Sequence, residues 1–255
     1  MSLILRNPHS VEAVLRVRPA DVFEVRLAPG TPSPRWTAVA ELARQHNIPI
    51  RTSLAAPDRS SSSKGKSERL GAASATIQER TDLLIDELFT EEMTARPGLW
   101  LALEQLQDPH NVGAIFRTAA FFGVKGIILT RERSAPLSAT VYDTASGGLE
   151  YVPFAVASNL SRTITLARAA GLAILGTSEH AAQNLVSPPG DRSTLLIFGN
   201  EEQGLRKVTQ EHCDELCCLT PLGPIQSLNV SVAAGVLMSK LAPTNSPETA
   251  STTTK

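Results

Sequence analysis

Apolar positions divide the chain into two unlike stretches. From Leu99 onward, short apolar runs alternate with longer amphipathic ones. Leu99–Leu103, Gly126–Thr130, Val152–Val156, Leu172–Gly176, Thr194–Phe198 and Glu215–Leu219 have the length of buried strands. Helical spacing fills most of the intervals, at Val112–Phe122, Ser138–Ser146, Leu160–Ala170 and Leu205–His212. A last helix is predicted over Leu228–Leu241, with Leu228, Val232, Val236 and Leu237 along one stripe and Leu228 turned to the core. This alternation predicts an α/β fold whose mainly parallel sheet is covered on both faces. In such sheets ligands bind beyond the carboxyl ends of the strands.

Residues 1–80 read as a separate small α/β domain. Helices are predicted at Ser10–Arg16, with Ser10 as N-cap, and at Thr37–His46, with Asn47 near its end. Strands are predicted at Val22–Leu27, Ile48–Arg51 and Ala73–Gln78. Between them Ala56–Glu68 is rich in serine and charge and has too little apolar surface to offset its ordering entropy. Residues 81–97 read as a linker, helical and acidic over Thr81–Thr94, ahead of a second domain at 98–242. The tail, 243–255, is Pro, Ser and Thr with little else and is predicted to be disordered.

Charge adds a contrast between the halves. Net charge is −1, which does not by itself suggest a nucleic-acid binder. Residues 1–80 carry 12 Lys and Arg against 7 Asp and Glu, a net of +5. Residues 81–255 carry 12 against 18, a net of −6. The asymmetry points the first domain toward a polyanion. Cys213, Cys217 and Cys218 sit in one stretch with only His212 close by, so neither a disulfide framework nor a metal site is expected. No apolar run reaches the ~18 residues of a membrane span, and no signal-like start is seen. The expected location is the cytoplasm, with no membrane partner.

Three strings put polar and small residues where an active cleft would form. The first is DPHNVGAIFRTA, Asp108–Ala119. Asn111 is placed to cap a helix, Gly113 to allow close backbone approach, and Arg117 lies over a turn into that helix. An arginine inside an apolar run has two explanations, an ion pair with Asp108 or Glu201, or a functional site. The second string, FGNEEQGL at Phe198–Leu205, sets Gly199 and Gly204 around a tight acidic turn. It lacks the Lys-Ser/Thr of a phosphate loop, and its acids suit a cationic or hydroxyl-bearing ligand. The third, SLNVSVAAG at Ser227–Gly235, offers Ser227 as N-cap but leaves Asn229 without a capping role. All three follow a predicted strand and should gather at one edge of the sheet.

In this order, N-x-G-x-x-x-R, G-x-E-x-x-G and S-L-N-x-S resemble the signature motifs of the SpoU (TrmH) family of RNA ribose 2′-O-methyltransferases. The resemblance covers about Leu99 to Leu241. RERSAPLSAT (Arg131–Thr140) and TQEHCDEL (Thr209–Leu216) extend it between the motifs, toward the members that methylate a guanosine in large-subunit rRNA. NPHSVEAVL (Asn7–Leu15) and the ATIQER region resemble the small ribosomal-protein-like RNA-binding domain of those members. The resemblance implies a C-terminal trefoil knot, S-adenosyl-L-methionine as cofactor, RNA as partner and a homodimer. It implies a catalytic set of Asn111, Arg117, Glu201, Ser227 and Asn229, with Gly199, Leu219 and Leu228 against the cofactor. In the family Arg117 is the proposed base. Because arginine stays protonated, anchoring the adjacent phosphate is the physically easier role.

Two positions depart from the family pattern. The segment Leu219–Asn229 reads LTPLGPIQSLN where relatives commonly have Ile-Pro-Met, and Glu202 stands where many have Gly. Aromatic residues are only 4% of the chain, which leaves no evident stacking platform for bases. Methylation of tRNA or of another rRNA site, or RNA binding without catalysis, are the competing readings.

Overall fold

A computed structural model describes residues 1–30, 32–52, 73–179, 181 and 192–243. The basic segment Ala56–Glu68 and all of the tail beyond Pro243 lie outside these residues.

The first unit comprises β1 (Ser2–Leu5), α1 (Pro8–Val17), β2 (Val22–Leu27), α2 (Pro34–Gln45), β3 (Ile50–Thr52) and β4 (Ser74–Gln78). Its sheet has the order β1-β4-β2-β3, with β4 antiparallel to both neighbours and β3 parallel to β2. The predicted elements are present, and β1 is an addition. Helix α1 begins earlier than the capping pattern suggested. Asn7, not Ser10, is its N-cap and accepts from the His9 N–H at 3.0 Å. Ser10 is buried, and its hydroxyl donates to the Tyr142 carbonyl at 2.7 Å. A polar residue on a buried face found its partner across the molecule rather than in its own helix.

The second unit carries β5 (Leu99–Leu103), α4 (Pro109–Phe121), β6 (Gly126–Thr130), α5 (Ala139–Ala145), α6 (Gly148–Tyr151), β7 (Phe154–Ala157), α7 (Leu160–Ala169), β8 (Ala173–Thr177), β9 (Thr194–Phe198), α8 (Lys207–Glu211), β10 (Glu215–Cys217) and α9 (Val230–Leu241). All six strands are parallel, in the order β10-β8-β9-β5-β6-β7. Every residue of β5, β6 and β9 is buried. Leu99, Leu101 and Leu103 pack on one face while Trp100 and Ala102 pack on the other, as the two-residue period of a strand requires. This is the α/β architecture that the apolar runs predict. The chain steps from β5 through β6 to β7, then crosses back to β8, and β9 inserts between β8 and β5. The loops after β5 and β9 therefore open side by side where the strand order reverses.

The predicted linker gives one buried residue, Leu88, to the core and is not the continuous helix expected. Leu83 bridges to Ala155, Ile85–Phe89 forms a 3-10 turn, and only Glu91–Thr94 (α3) is α-helical. Leu88 is fully buried, and its carbonyl accepts from the Trp100 indole N–H at 2.9 Å. Burial of one leucine outweighed the helical spacing of its acidic neighbours.

The two units share a polar seam. Asp143 accepts the backbone N–H of Asn7 at 2.9 Å, and Arg18 pairs with the buried Glu150 at 2.7 and 2.9 Å. Arg80 donates to the Leu149 and Val152 carbonyls, while its own backbone N–H donates to the Tyr142 hydroxyl at 2.9 Å. Apolar residues of both units form one continuous cluster across this seam.

Candidate active site

The cleft sits at the reversal point, with a volume of about 440 Å³. Gln105, Gln107, Asp108 and Asn111 line it from the end of β5 and the start of α4. Asn200, Glu201, Glu202 and Gln203 line it from the loop after β9, Asn229 from the start of α9, and Arg133 from the loop after β6.

Side-chain hydrogen bonds join all three sequence strings. Asn229 donates from Nδ2 to Asn111 Oδ1 at 2.9 Å, and Asn111 donates from Nδ2 to Glu201 Oε1 at 3.3 Å. The backbone N–H groups of Gln107 and Asp108 also point at the Glu201 carboxylate, at 3.4 Å each. These are the free N–H groups that precede a helix, and they favour a negative charge.

The capping roles differ from the expected ones. Asp108, not Asn111, caps α4 and accepts from the His110 N–H at 2.8 Å. Asn111 lies in the first turn, buried, and is free to pair with Glu201 and Asn229. Asn229, not Ser227, caps α9, accepting from the Ser231 N–H at 2.9 Å and hydroxyl at 2.6 Å. One carboxamide thus caps a helix with its oxygen and reaches Asn111 with its nitrogen. Ser227 is exposed ahead of it.

The acidic turn is closed by its own hydrogen bonds. Asn200 and Gly204 exchange backbone hydrogen bonds at 3.1 and 2.9 Å, and Asn200 Oδ1 accepts from the N–H groups of Glu202 and Gln203. A Cβ on Gly199 would lie 2.1 Å from the Gly204 carbonyl carbon, so only glycine closes the neck of the turn. Gly113 has a different use from the expected one. A Cβ there would lie 2.6 Å from Thr144 Cβ, so its absence lets α4 approach α5 rather than a ligand.

Arg117 stands apart from this network. It is exposed, six residues along α4 from Asn111, and contacts the Ser146 hydroxyl at 3.5 Å. It forms no ion pair with Asp108 or Glu201. Six residues at 100° each turn it away from the face that carries Asn111. Leu219 is half-buried against the core. Leu228 is 53% exposed rather than turned inward. The buried side of α9 is Ala234, Leu237, Met238 and Leu241, and Val232 and Val236 face outward.

Glu104 escaped the sequence reading. It is buried at the end of β5 and accepts from Arg206 Nε at 2.6 Å, Arg206 N at 3.0 Å and Thr209 Oγ1 at 2.6 Å. It anchors the far end of the acidic turn to the neighbouring strand. An acid closing the apolar run LALEQ was the available signal. Among the described residues no His, Cys, Asp or Glu group is placed to hold a metal, and no helix is long and apolar enough to cross a membrane.

Residues 98–239 match the SpoU rRNA Methylase family model. The chain belongs to the SpoU family. It is 36% identical over 233 residues to the 23S rRNA (guanosine-2′-O-)-methyltransferase RlmB of Pseudomonas aeruginosa, covering 90% of this chain and 92% of that one. It is 34% identical to the protein of the same name from Nitrosomonas europaea, covering 90% and 87%. Its fold matches the SpoU methyltransferase AviRb from Streptomyces viridochromogenes, solved with AdoMet, at a TM-score of 0.73 and 20% identity over 94% of this chain and 88% of that one. It also matches an AdoMet-bound rRNA methyltransferase from Sinorhizobium meliloti, at a TM-score of 0.70 and 20% identity, over 94% and 86%. Two glycine-edged SpoU motifs and a helix-capping asparagine thus meet in one cleft of this SpoU chain.

Proposed function

We propose that this chain transfers a methyl group from S-adenosylmethionine to the ribose 2′-hydroxyl of a guanosine in large-subunit rRNA. The observation that carries it is the chain of hydrogen bonds Asn229–Asn111–Glu201, which links the three SpoU motifs at the reversal point of the sheet. The named activity of the RlmB relatives, matched along nine-tenths of this chain, supports the choice of RNA.

The residues fit the cofactor. Asp108, Glu201 and Glu202 give the cleft a negative field suited to a sulfonium cation. Leu222, Ile225 and Leu228 stand exposed in the adjoining segment, an apolar surface for an adenine ring. Gly199 and Leu219 are the further cofactor contacts of this reading. The bound cofactor supplies a methyl group on a good leaving group. The chain's own tasks are alignment and management of the hydroxyl proton. Asn111 and Asn229 orient the nucleotide, Glu201 holds Asn111, and Ser227 lies at the mouth. Arg117, on a different face of α4 from Asn111, binds a phosphate of the RNA as it passes outside the cleft, which suits a permanently charged, exposed guanidinium better than proton removal does.

Three further readings belong to the same proposal. The return of the chain from β10 through 218–229 to α9, packed on α4, forms the trefoil knot of the family. A second copy covers the apolar surface of Phe121, Val232 and Val236, which lies where Gly235 of α9 meets Thr118 of α4. Residues 1–80, with their positive balance, hold the RNA, and the protein works in the cytoplasm. Ribose-methylation mapping of rRNA and tRNA with and without the protein tests the activity. Gain of one rRNA 2′-O-methylguanosine is the expected result, and a tRNA product or none overturns it. Titration with S-adenosylmethionine separates an enzyme from a binding module, which would give no heat.

A further inference from the structure

Two residues of the cleft have no place in the hydrogen-bond chain. Gln105 and Arg133 both adopt left-handed backbone conformations without being glycine, at φ 58° and φ 55°. Such conformations are costly for residues with side chains and persist where surrounding structure imposes them. Here it does. The Gln105 N–H donates to Thr130 Oγ1 at 2.9 Å, and the Gln105 carbonyl accepts from Asn200 Nδ2 at 2.9 Å. Thr130 Oγ1 also meets Ser134 Oγ at 2.9 Å, and the Ala135 N–H donates to the Leu106 carbonyl at 2.8 Å. The loops after β5 and β6 are thus stitched together, and both strained residues line the cleft.

Their side chains are uncommitted. Gln105 is only 9% exposed, yet its carboxamide takes no hydrogen bond from or to the described residues. No side-chain nitrogen or oxygen of the described residues is both sealed from solvent and unpartnered, so this amide opens into the cleft and is available to a ligand there. Arg133 makes no ion pair among the described residues and is the one cation among those lining the cleft, beside Asp108, Glu201 and Glu202. Those carboxylates oppose a phosphate in the same space. A base whose edge offers both donors and acceptors fits it better.

We infer that Gln105 and Arg133 form the seat of the target base and select guanine. The inference rests on the proposed methyl transfer and assigns the residues that read the nucleotide. Arginine matches guanine O6 and N7 with two parallel N–H donors. The Glu202 carboxylate, which is not engaged in a helix cap or in the Asn111 bond, matches guanine's N1–H and N2–H donors, where adenine would present a bare acceptor. Gln105 adds a donor and an acceptor on the floor.

The test uses the full chain, S-adenosylmethionine and a large-subunit rRNA transcript. A second transcript has the methylated guanosine replaced by adenosine. The wild type should prefer guanosine by roughly 10- to 100-fold in kcat/KM. Arg133→Ala should lower kcat/KM on the guanosine transcript by about the same factor, leave the adenosine transcript nearly unchanged and keep cofactor affinity. Arg133→Lys, which loses the two-pronged contact, should fall between. Gln105→Asn, which tolerates the left-handed backbone, should also narrow the preference. A preference that survives in all three variants overturns the inference while leaving methyl transfer intact. An equal fall on both transcripts with a shallower salt dependence makes Arg133 a phosphate contact and also overturns it. Weakened cofactor binding does the same. Absence of RNA methylation by the wild type overturns the underlying function instead.

Discussion

Asn229 donates to Asn111 at 2.9 Å across 118 residues of chain. The bond ties the first turn of α4 to the cap of α9, and Glu201 extends it to the loop after β9. Removing Asn229 uncaps α9 and leaves the buried Asn111 oxygen unmatched, while removing Asn111 takes one hydrogen-bond partner each from Glu201 and the exposed Asn229. Asn111→Ala and Asn229→Ala should each cost about 1–3 kcal/mol in urea unfolding. The double variant should cost less than the sum, because the two act on one interaction. Each single variant should lower single-turnover methyl transfer by roughly 100-fold through misplacement of the ribose.

The seam gives a second expectation. Glu150 is almost fully buried and takes two hydrogen bonds from Arg18, which also reaches Asp21 at 3.0 Å. Glu150→Ala strands a partly buried guanidinium. The expected loss is about 3 kcal/mol, toward the lower end for a broken buried pair because Asp21 remains. Chemical unfolding measures it, and a loss below about 1 kcal/mol would show that the seam is not held by this pair.

Two thiols should resist modification. Burial, followed by the nearby Asp214 and Glu104 carboxylates, pushes the Cys213 thiol up to about 12. Burial, followed by Cys218, pushes Cys217 up to about 11. The thiolate is the reactive form. At pH 8 both should alkylate at least about tenfold more slowly in the native protein than in urea, as followed by mass spectrometry. Because their folded values lie above the ordinary thiol value of 9.0, the unfolded chain loses these protons first. Their contribution to stability is intact below pH 9.0 and declines as pH rises toward about 11 and beyond.

The proposed pairing of two copies rests on the outward apolar surface of α4 and α9. Phe121 is 83% exposed, and Val232 and Val236 lie on the neighbouring helix. Phe121→Asp or Val236→Asp should convert a dimer to a monomer by light scattering, with little change in the monomer's own fold. A wild type that is monomeric at tens of micromolar would remove the reason for this face.

RNA binding by the first unit is best tested by charge rather than by deletion. Removing residues 1–80 would also strip Arg18 from Glu150 and expose shared core. Arg35 and Arg44 are exposed on α2. Arg35→Glu and Arg44→Glu should each weaken RNA binding and lower the slope of log affinity against log salt by about one. An unaltered slope in both would place the RNA elsewhere.

The amino-acid sequence by itself determined the elements and the chemistry. Apolar runs marked all six strands of the second sheet, most cleanly β5, β6 and β9, whose full burial on both faces leaves little room for polar residues. The motif resemblance grouped Asn111, Arg117, Glu201, Ser227 and Asn229 as one site set, and the pairing of Asn111 with Glu201 and Asn229 came only from the structure. Only the tertiary structure decided which atoms meet. Asp108 and Asn229 took the capping roles expected of Asn111 and Ser227, because a helix start follows backbone direction, and several residues in a row can supply the oxygen. Val232 and Val236 spaced like a core stripe yet faced outward, since periodicity finds a face but not what covers it. Glu104, Gln105 and Arg133 gained their meaning from strands and loops far off in the chain. Their contacts depend on the order in which β5, β6 and β9 lie side by side, and no local pattern encodes that order.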